Sequence, residues 1–253
     1  IQNFTSRAIN FYATSKTVAF VDTLIVDGCK FQNTIRALQA TTALEQFKHL
    51  EIKNSTFYKL DKDGYFINMS PGGENLASGV KVIIDHCTFY NCFSRRGVYL
   101  ANLDGAEVTN NIAFYSETVG DTKSFSTYGS NSMVRNNISY NVDLYGSAPR
   151  QNVIVQNPLF VDGENGNLQL YANSPAIGAG DNGSNLGDPN WGVSNEDAPL
   201  GALPYVPFKK PYTMSPTANS VRVIWQMLDT ISKGVVYYGK TEALGDSIVS
   251  NDG

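Results

Sequence analysis

The sequence predicts an all-β chain whose main body is a parallel β-solenoid, and three observations carry that reading. A segment of about eleven residues recurs six times, starting at Leu24, Leu50, Val82, Ala106, Ser132 and Asn152, so successive starts lie 26, 32, 24, 26 and 20 residues apart. Such spacing belongs to repeat architectures. Each copy runs as a short apolar strand, a polar pair rich in Asn, and then an aromatic: LIVDGCKFQNT, LEIKNSTFYKL, VIIDHCTFYNC, AEVTNNIAFYS, SMVRNNISYNV and NVIVQNPLFVD. Charged residues make up only 17% of the chain, against 22 Gly and 14 Tyr, a balance that suits an extracellular β-protein better than a helical cytosolic enzyme. One strand–turn–strand unit cannot bury its own apolar face, whereas stacked copies share one continuous core.

Residues 1–23 read as one further rung, with strands near AINFYAT and TVAFVD. A second strand follows each aromatic, at TIRALQAT, GYFINMS, GVYLANL and SFSTYG. Alternation sends Ile35 and Ala37, Tyr65 and Ile67, Val98 and Leu100, and Phe125 and Thr127 inward. It leaves Arg36, Phe66, Tyr99 and Ser126 in one outward column. Phe31, Phe57 and Phe89 should stack as a core ladder. In the last three copies the aromatic (Phe114, Tyr140, Phe160) falls one residue later, which we read as one shifted residue in the turn. The strands at 24–27, 50–53, 82–85, 106–109 and 132–135 are expected side by side in sequence order.

Asn54, Asn110 and Asn136 share a position with Gly28, His86 and Gln156. Gly and Asn tolerate the left-handed backbone that a sharp corner needs, and stacked Asn side chains can bond along the axis. His86 is read in the same way, as a corner residue, and His49 simply precedes a strand. Of the three cysteines, Cys29 and Cys87 stand two rungs apart with Ser55 between them. Two rungs separate Cα atoms by about 9–10 Å, beyond disulfide reach. Both are therefore expected to be reduced and buried, with a Cys87–Cys92 bridge as the lesser alternative. The insertion NMSPGGENLASG (68–79) carries Pro and Gly and reads as a loop.

Beyond the last copy the chain reads NPLFVDGENGNLQLYANSPAIGAGDNG and later EDAPLGALPYVP. Asn157–Asp162, Leu168–Leu170, Ser174–Gly180 and, more weakly, Pro199–Pro204 resemble the closing segment of right-handed parallel β-helix proteins of the pectate-lyase-like superfamily, particularly secreted ones from Bacteroidetes-type bacteria. With the repeats, the resemblance spans residues 1–206. It implies a right-handed coil, a secreted or cell-surface location, and a segment that covers the exposed edge of the last rung. Proline-rich LPYVPFKKPYTMSP (203–216) reads as a stiff linker. After it, SVRVIWQML and GVVYYGKT resemble the opening of a fibronectin type III domain, so residues 207–253 are expected to be a partial β-sandwich. A sandwich needs about 90–100 residues, which points to a truncated piece with Val223, Trp225, Val236 and Tyr238 in need of cover.

Net charge of −4 gives a nucleic-acid partner no electrostatic support, and no apolar run approaches the roughly 20 residues that span a bilayer. The sequence holds no Gly-rich phosphate loop, no metal-spaced His/Cys set and no nucleophile elbow. Enzymes of the resembled superfamily that cleave acidic polysaccharides use a Lys or Arg base with Ca²⁺-binding acids, so Ca²⁺ is the cofactor expected of a lyase and none is expected otherwise. The nearest cluster is Lys62 and Asp63, Arg95 and Arg96, then Glu117, Asp121 and Lys123, with Arg36 and Tyr99 one strand position away. Guanidinium groups there could clamp uronate carboxylates. A second candidate is a stripe of Tyr58, Tyr90 and Tyr115, each following a core residue, hence turned outward and able to stack on sugars. Three function classes follow: a module that binds or positions polysaccharide, a lyase or hydrolase of acidic glycans, and a structural or adhesive surface protein engaging other chains.

Overall fold

A computed structural model describes residues 7–11, 21–40, 47–60, 67–69, 81–92, 97–100, 105–117, 123–199, 207–214, 222–227, 234–238 and 246–250. The chain divides into two compact units, Ile1–Leu203 and Pro204–Gly253.

The first unit is a parallel coil with three strand columns. The first column stacks Val21–Asp27, Phe47–Lys53, Lys81–Asp85, Glu107–Thr109 and the start of Met133–Tyr140, all parallel and in sequence order, with Arg150–Ile154 added at its far edge. A second column stacks Lys30–Gln32, Thr56–Tyr58, Thr88–Tyr90, Ile112–Phe114 and the end of Met133–Tyr140. The third comprises Arg7–Phe11, Arg36–Ala40, Ile67–Met69, Val98–Leu100, Lys123–Thr127 and Asp143–Tyr145. Leu50, Val82, Val108 and Val134 face one interior with Leu38, Ile67, Val98 and Phe125, as strand alternation requires.

The corner between the first and second columns explains the Asn-rich pair. Gly28, Asn54, His86, Asn110, Asn136 and Asn152 all adopt positive φ, between 47° and 62°, the left-handed region that Gly, Asn and His enter most readily. The next position turns inward and holds Cys29, Ser55, Cys87, Asn111 and Asn137, which bond along the axis. Asn111 Oδ1 accepts the Cys87 N–H at 2.8 Å, and Asn137 Oδ1 accepts the Asn111 N–H at 2.8 Å. These side chains satisfy amide groups that the corner turns away from the sheet. Cys29, Cys87 and Cys92 are free thiols. Cys87 and Cys92 are fully buried, but Cys29 is only half-buried.

Phe31, Phe57 and Phe89 form the expected ladder, with centroids 5.0 and 4.6 Å apart and rings within 12° of parallel. Ala113 and Ser139 continue that column. The volume a further Phe would fill is taken by Phe125 of the third column, which meets Phe89 edge-on at 5.6 Å.

Four sequence expectations are corrected. The fourth and fifth copies carry no shifted residue: Phe114 pairs with Tyr90, and Tyr140 with Phe114, on the outward face. The corner of the last copy is Asn152, not Gln156, because Arg150–Ile154 pairs four residues earlier than the motif suggested. In the third column Gln39 and Asn68 stand beside Tyr99, while Arg36 pairs with Arg7, so Arg36 is not in the Tyr99 row. Finally, the proline-rich stretch is no mere linker. Pro207–Met214 is a strand antiparallel to Arg222–Met227, with irregular register between Lys209 and Tyr212, where Pro211 can sit without breaking a ladder bond.

The closing segment runs 157–199 and does not simply seal the last rung. It folds back along the outer face of the second column. Ile112, Ile138, Leu170, Ala176 and Leu186 make a second apolar core there, flanked by Phe114, Tyr140 and Phe160. Polar contacts carry it back to the early rungs: Asp188 bonds Thr88 and Thr56, and Trp191 Nε1 donates to Thr56 Oγ1 at 2.8 Å. Thr56, Thr88, Ile112 and Ile138 occupy one outward row, and this clasp is what covers it.

In the second unit, Pro207–Met214 with Arg222–Met227 and Gly234–Tyr238 with Asp246–Ser250 make two antiparallel pairs. The side chains of Val223, Trp225, Val236 and Tyr238, on which the sandwich expectation rests, lie outside the described residues.

Candidate functional site

The Tyr58–Tyr90–Tyr115 stripe does not form. The outward ladder is Tyr58, Tyr90, Phe114 and Tyr140, with centroids 5.3, 4.9 and 5.6 Å apart. It lies under the clasp, where Phe160 meets Tyr90 and Phe114 edge-on. Tyr58 Oη donates to the Glu164 carbonyl at 2.6 Å, and Lys59 Nζ bonds the Glu164 carboxylate at 2.6 Å. Tyr90 is 3% exposed, and burial followed by the charge of Glu164 pushes its phenol up. Tyr115 follows Phe114, turns inward at the next corner and is wholly buried, its hydroxyl donating to the Cys92 carbonyl. A free sugar platform is therefore absent from this column, because its rings serve as the floor of the second core.

The charged corner is described only in part. Lys62, Asp63, Arg95, Arg96 and Asp121 lie outside the described residues, as does most of the 68–79 loop. Lys123 is paired with Asp143 at 3.1 Å, and Glu117 is exposed. Among the described residues no group of three or more His, Cys, Asp or Glu side chains is placed to hold a metal ion.

An aromatic face does exist, on the outside of the third column. Tyr99, Ser126 and Tyr145 stand in one row. Tyr128 lies edge-on to Tyr99 at 6.0 Å and to Tyr145 at 6.3 Å. Tyr145 is 49% exposed, and Lys123 Nζ lies 6.0 Å from its ring centroid. Tyr99 was legible from alternation. Tyr128 follows inward Thr127 in the run SFSTYG, whereas Tyr145 lies outside every recurring strand.

A second feature lies where the clasp crosses the left-handed corner. A cleft of ≈ 270 Å³ is lined by Asn54, His86, Leu170, Ser184, Asn185 and Asp188, among others. His86 is more than a corner residue. Its Nδ1 is 2.8 Å from Asp85 Oδ2 and its Nε2 is 3.1 Å from Ser184 Oγ. Asp85 also accepts from Thr109 Oγ1 and Asn110 Nδ2, each at 2.8 Å. Burial works to raise the Asp85 carboxyl, but the bonds from His86, Thr109 and Asn110 outweigh it and hold the group below its ordinary value. Asp85 is thus acceptor-only and takes the Nδ1 proton, which in the neutral imidazole leaves Nε2 as the acceptor facing Ser184. Ser184 is distant by 98 residues from His86, and no short-range motif announces the pair.

No helix is long and apolar enough to cross a membrane among the described residues. No curated protein matches the chain. A family model described as the right-handed beta helix region matches residues 7–182, well over half of the chain, and agrees with the three parallel strand columns. The chain belongs to the right-handed β-helix family.

Proposed function

We propose that this β-helix is an extracellular module that binds or positions polysaccharide on the outer face of its third strand column. The observation that carries the reading is the cluster of Tyr99, Tyr128 and Tyr145, exposed at Tyr145 and flanked by the Lys123–Asp143 pair. Tyr rings offer rigid, amphipathic area whose immobilisation costs little entropy. A charged pair beside them supplies donors and acceptors for hydroxyl groups. Low overall charge suits a partner of neutral or weakly acidic sugars. Arg95 and Arg96 immediately precede the Val98–Leu100 strand, and Lys62 precedes Ile67–Met69. These cations are the groups that we propose select uronate-containing chains.

A glycan array probed with the full chain, with Tyr145→Ala and with Arg95→Ala/Arg96→Ala tests the reading. Truncating a stacked ring at such a surface costs about 1–2 kcal/mol, or roughly 5–30-fold in Kd. The array should show a hit that Tyr145→Ala weakens by that factor, and loss of acidic glycans in the double Arg variant. Equal binding by wild type and Tyr145→Ala would end the proposal.

A further inference from the structure

We propose that Ser184, His86 and Asp85 form a second site, a serine-nucleophile hydrolase centre acting on small acyl esters of alcohols or sugars. It is independent of glycan binding at the tyrosine face.

The geometry satisfies each requirement of an activated serine in turn. The nucleophile needs a base within hydrogen-bond reach, and Ser184 Oγ is 3.1 Å from His86 Nε2. The base needs its other nitrogen fixed, and Asp85 fixes it at 2.8 Å, while Thr109 and Asn110 hold that carboxylate in place. This is the order of roles that defines a Ser–His–Asp centre on any fold. The serine hydroxyl also has a place built for it. Gly180 N–H donates to the Ser184 carbonyl at 2.8 Å, closing a tight turn. A Cβ at Gly180 would stand 2.4 Å from Ser184 Oγ, so only glycine leaves room for the hydroxyl. Asp181 anchors the same turn to the coil through Arg135 at 2.7 Å and Asn136 at 2.9 Å. Substrate space lies alongside, in the ≈ 270 Å³ cleft that both His86 and Ser184 line. Asn185 lines it too. Its Oδ1 accepts the Gly178 N–H at 3.0 Å, which leaves its Nδ2 as the donor end for a developing oxyanion.

A hydrogen bond that merely fastened the clasp would need neither the fixed tautomer nor the open cleft. The cleft's volume suits a short acyl group, and an ester's alkoxide leaves more readily than an amine. In the reaction, Ser184 Oγ attacks the acyl carbonyl carbon as its proton passes to His86 Nε2. The C–O bond to the alcohol then breaks, and that proton goes to the departing oxygen, giving the free alcohol and an acyl-serine. Water attacks the acyl-serine, loses a proton to Nε2, and releases the carboxylic acid as the proton returns to Ser184. Ester plus water thus yields acid plus alcohol, with no other reactant.

The test uses the full chain. Wild-type protein incubated with a fluorophosphonate probe and mapped by peptide mass spectrometry is expected to carry the adduct on Ser184. Hydrolysis of p-nitrophenyl acetate is expected to fall by about 10²-fold or more in Ser184→Ala and in His86→Ala, in line with the share of general-base catalysis. Asp85 is a positioning residue, so Asp85→Asn should lower kcat while leaving KM unchanged. Ser184→Ala removes one hydroxyl, and circular dichroism would verify its fold. The labelling of wild type decides the matter even if His86→Ala does not fold. Absence of an adduct on Ser184, or equal hydrolysis by wild type and folded Ser184→Ala, overturns the assignment.

Discussion

Replacing Asn111 by Ala probes the axial ladder on which the coil's corners depend. The Asn111 side chain is fully buried. Its Oδ1 accepts the Cys87 N–H, and its Nδ2 donates to the Ile84 carbonyl and to Asn137 Oδ1, each at 3.0 Å. Alanine leaves the Cys87 N–H without its acceptor in a site closed to water, which costs about 1–3 kcal/mol. Loss of the two donated bonds adds roughly 0.5–1.5 kcal/mol each, partly offset because the Asn137 oxygen keeps the Asn111 N–H at 2.8 Å. The contributions sum to about 2–6 kcal/mol before that offset. Equilibrium urea denaturation followed by circular dichroism would measure it, with the m value checked against wild type so that the midpoint shift reports stability. Asn165→Ala is the control, since Asn165 is exposed and its side chain donates to exposed Asp162. It should stay within about 0.5 kcal/mol. An Asn111→Ala protein as stable as the control would show that the inner ladder is decoration.

Further expectations concern the clasp, the thiols and acid. Asp181→Ala removes the acceptor for Arg135, Asn136 and Asn110, so amide exchange should quicken across 180–188 while 106–109 stays protected. Unchanged exchange there would mean that the clasp is held by its apolar core alone. Burial pushes the Cys92 thiol up to about 12 and raises Cys87 as well, so iodoacetamide on native protein at pH 8 should modify only half-buried Cys29. Alkylation of Cys87 or Cys92 without unfolding would contradict their packing. Asp85 has its carboxyl held below 3.8 in the folded chain, so its contribution is present above that pH and is lost as pH falls through the lower folded value. Asp85→Asn should therefore flatten the loss of stability below pH 3.8, and an identical acid profile in both proteins would refute the linkage.

The coil was readable because its signal is periodic at two scales, the roughly 25-residue rung and the alternation within each strand. That made the Phe31–Phe57–Phe89 ladder and the left-handed corners at Asn54, Asn110 and Asn136 visible. Misreadings arose where a column changes its residue type. Ala113 takes the place of a core Phe, so Phe114 looked like a displaced core ring when it is an outward one. The buried state of Tyr90 was illegible for another reason, since alternation tells inside from outside only for a strand with nothing laid over it. The clasp returns from 74 residues further on to bring Glu164 to Tyr90. The same long-range return hid Ser184 from His86, and Asp188 from Thr56, a separation of 132 residues. Tyr99 was found because it sits mid-strand between two inward residues, Val98 and Leu100.

Hydroxyl-radical footprinting of the full chain, with and without a polysaccharide chosen from the array, reads which surface the glycan covers. Oxidation is read residue by residue through mass spectrometry. If the glycan lies on the third column, Tyr145 and Tyr128 lose reactivity when it is bound, while Tyr171 in the clasp keeps its own. Protection that spares Tyr128 and Tyr145 and falls on another surface would contradict that placement.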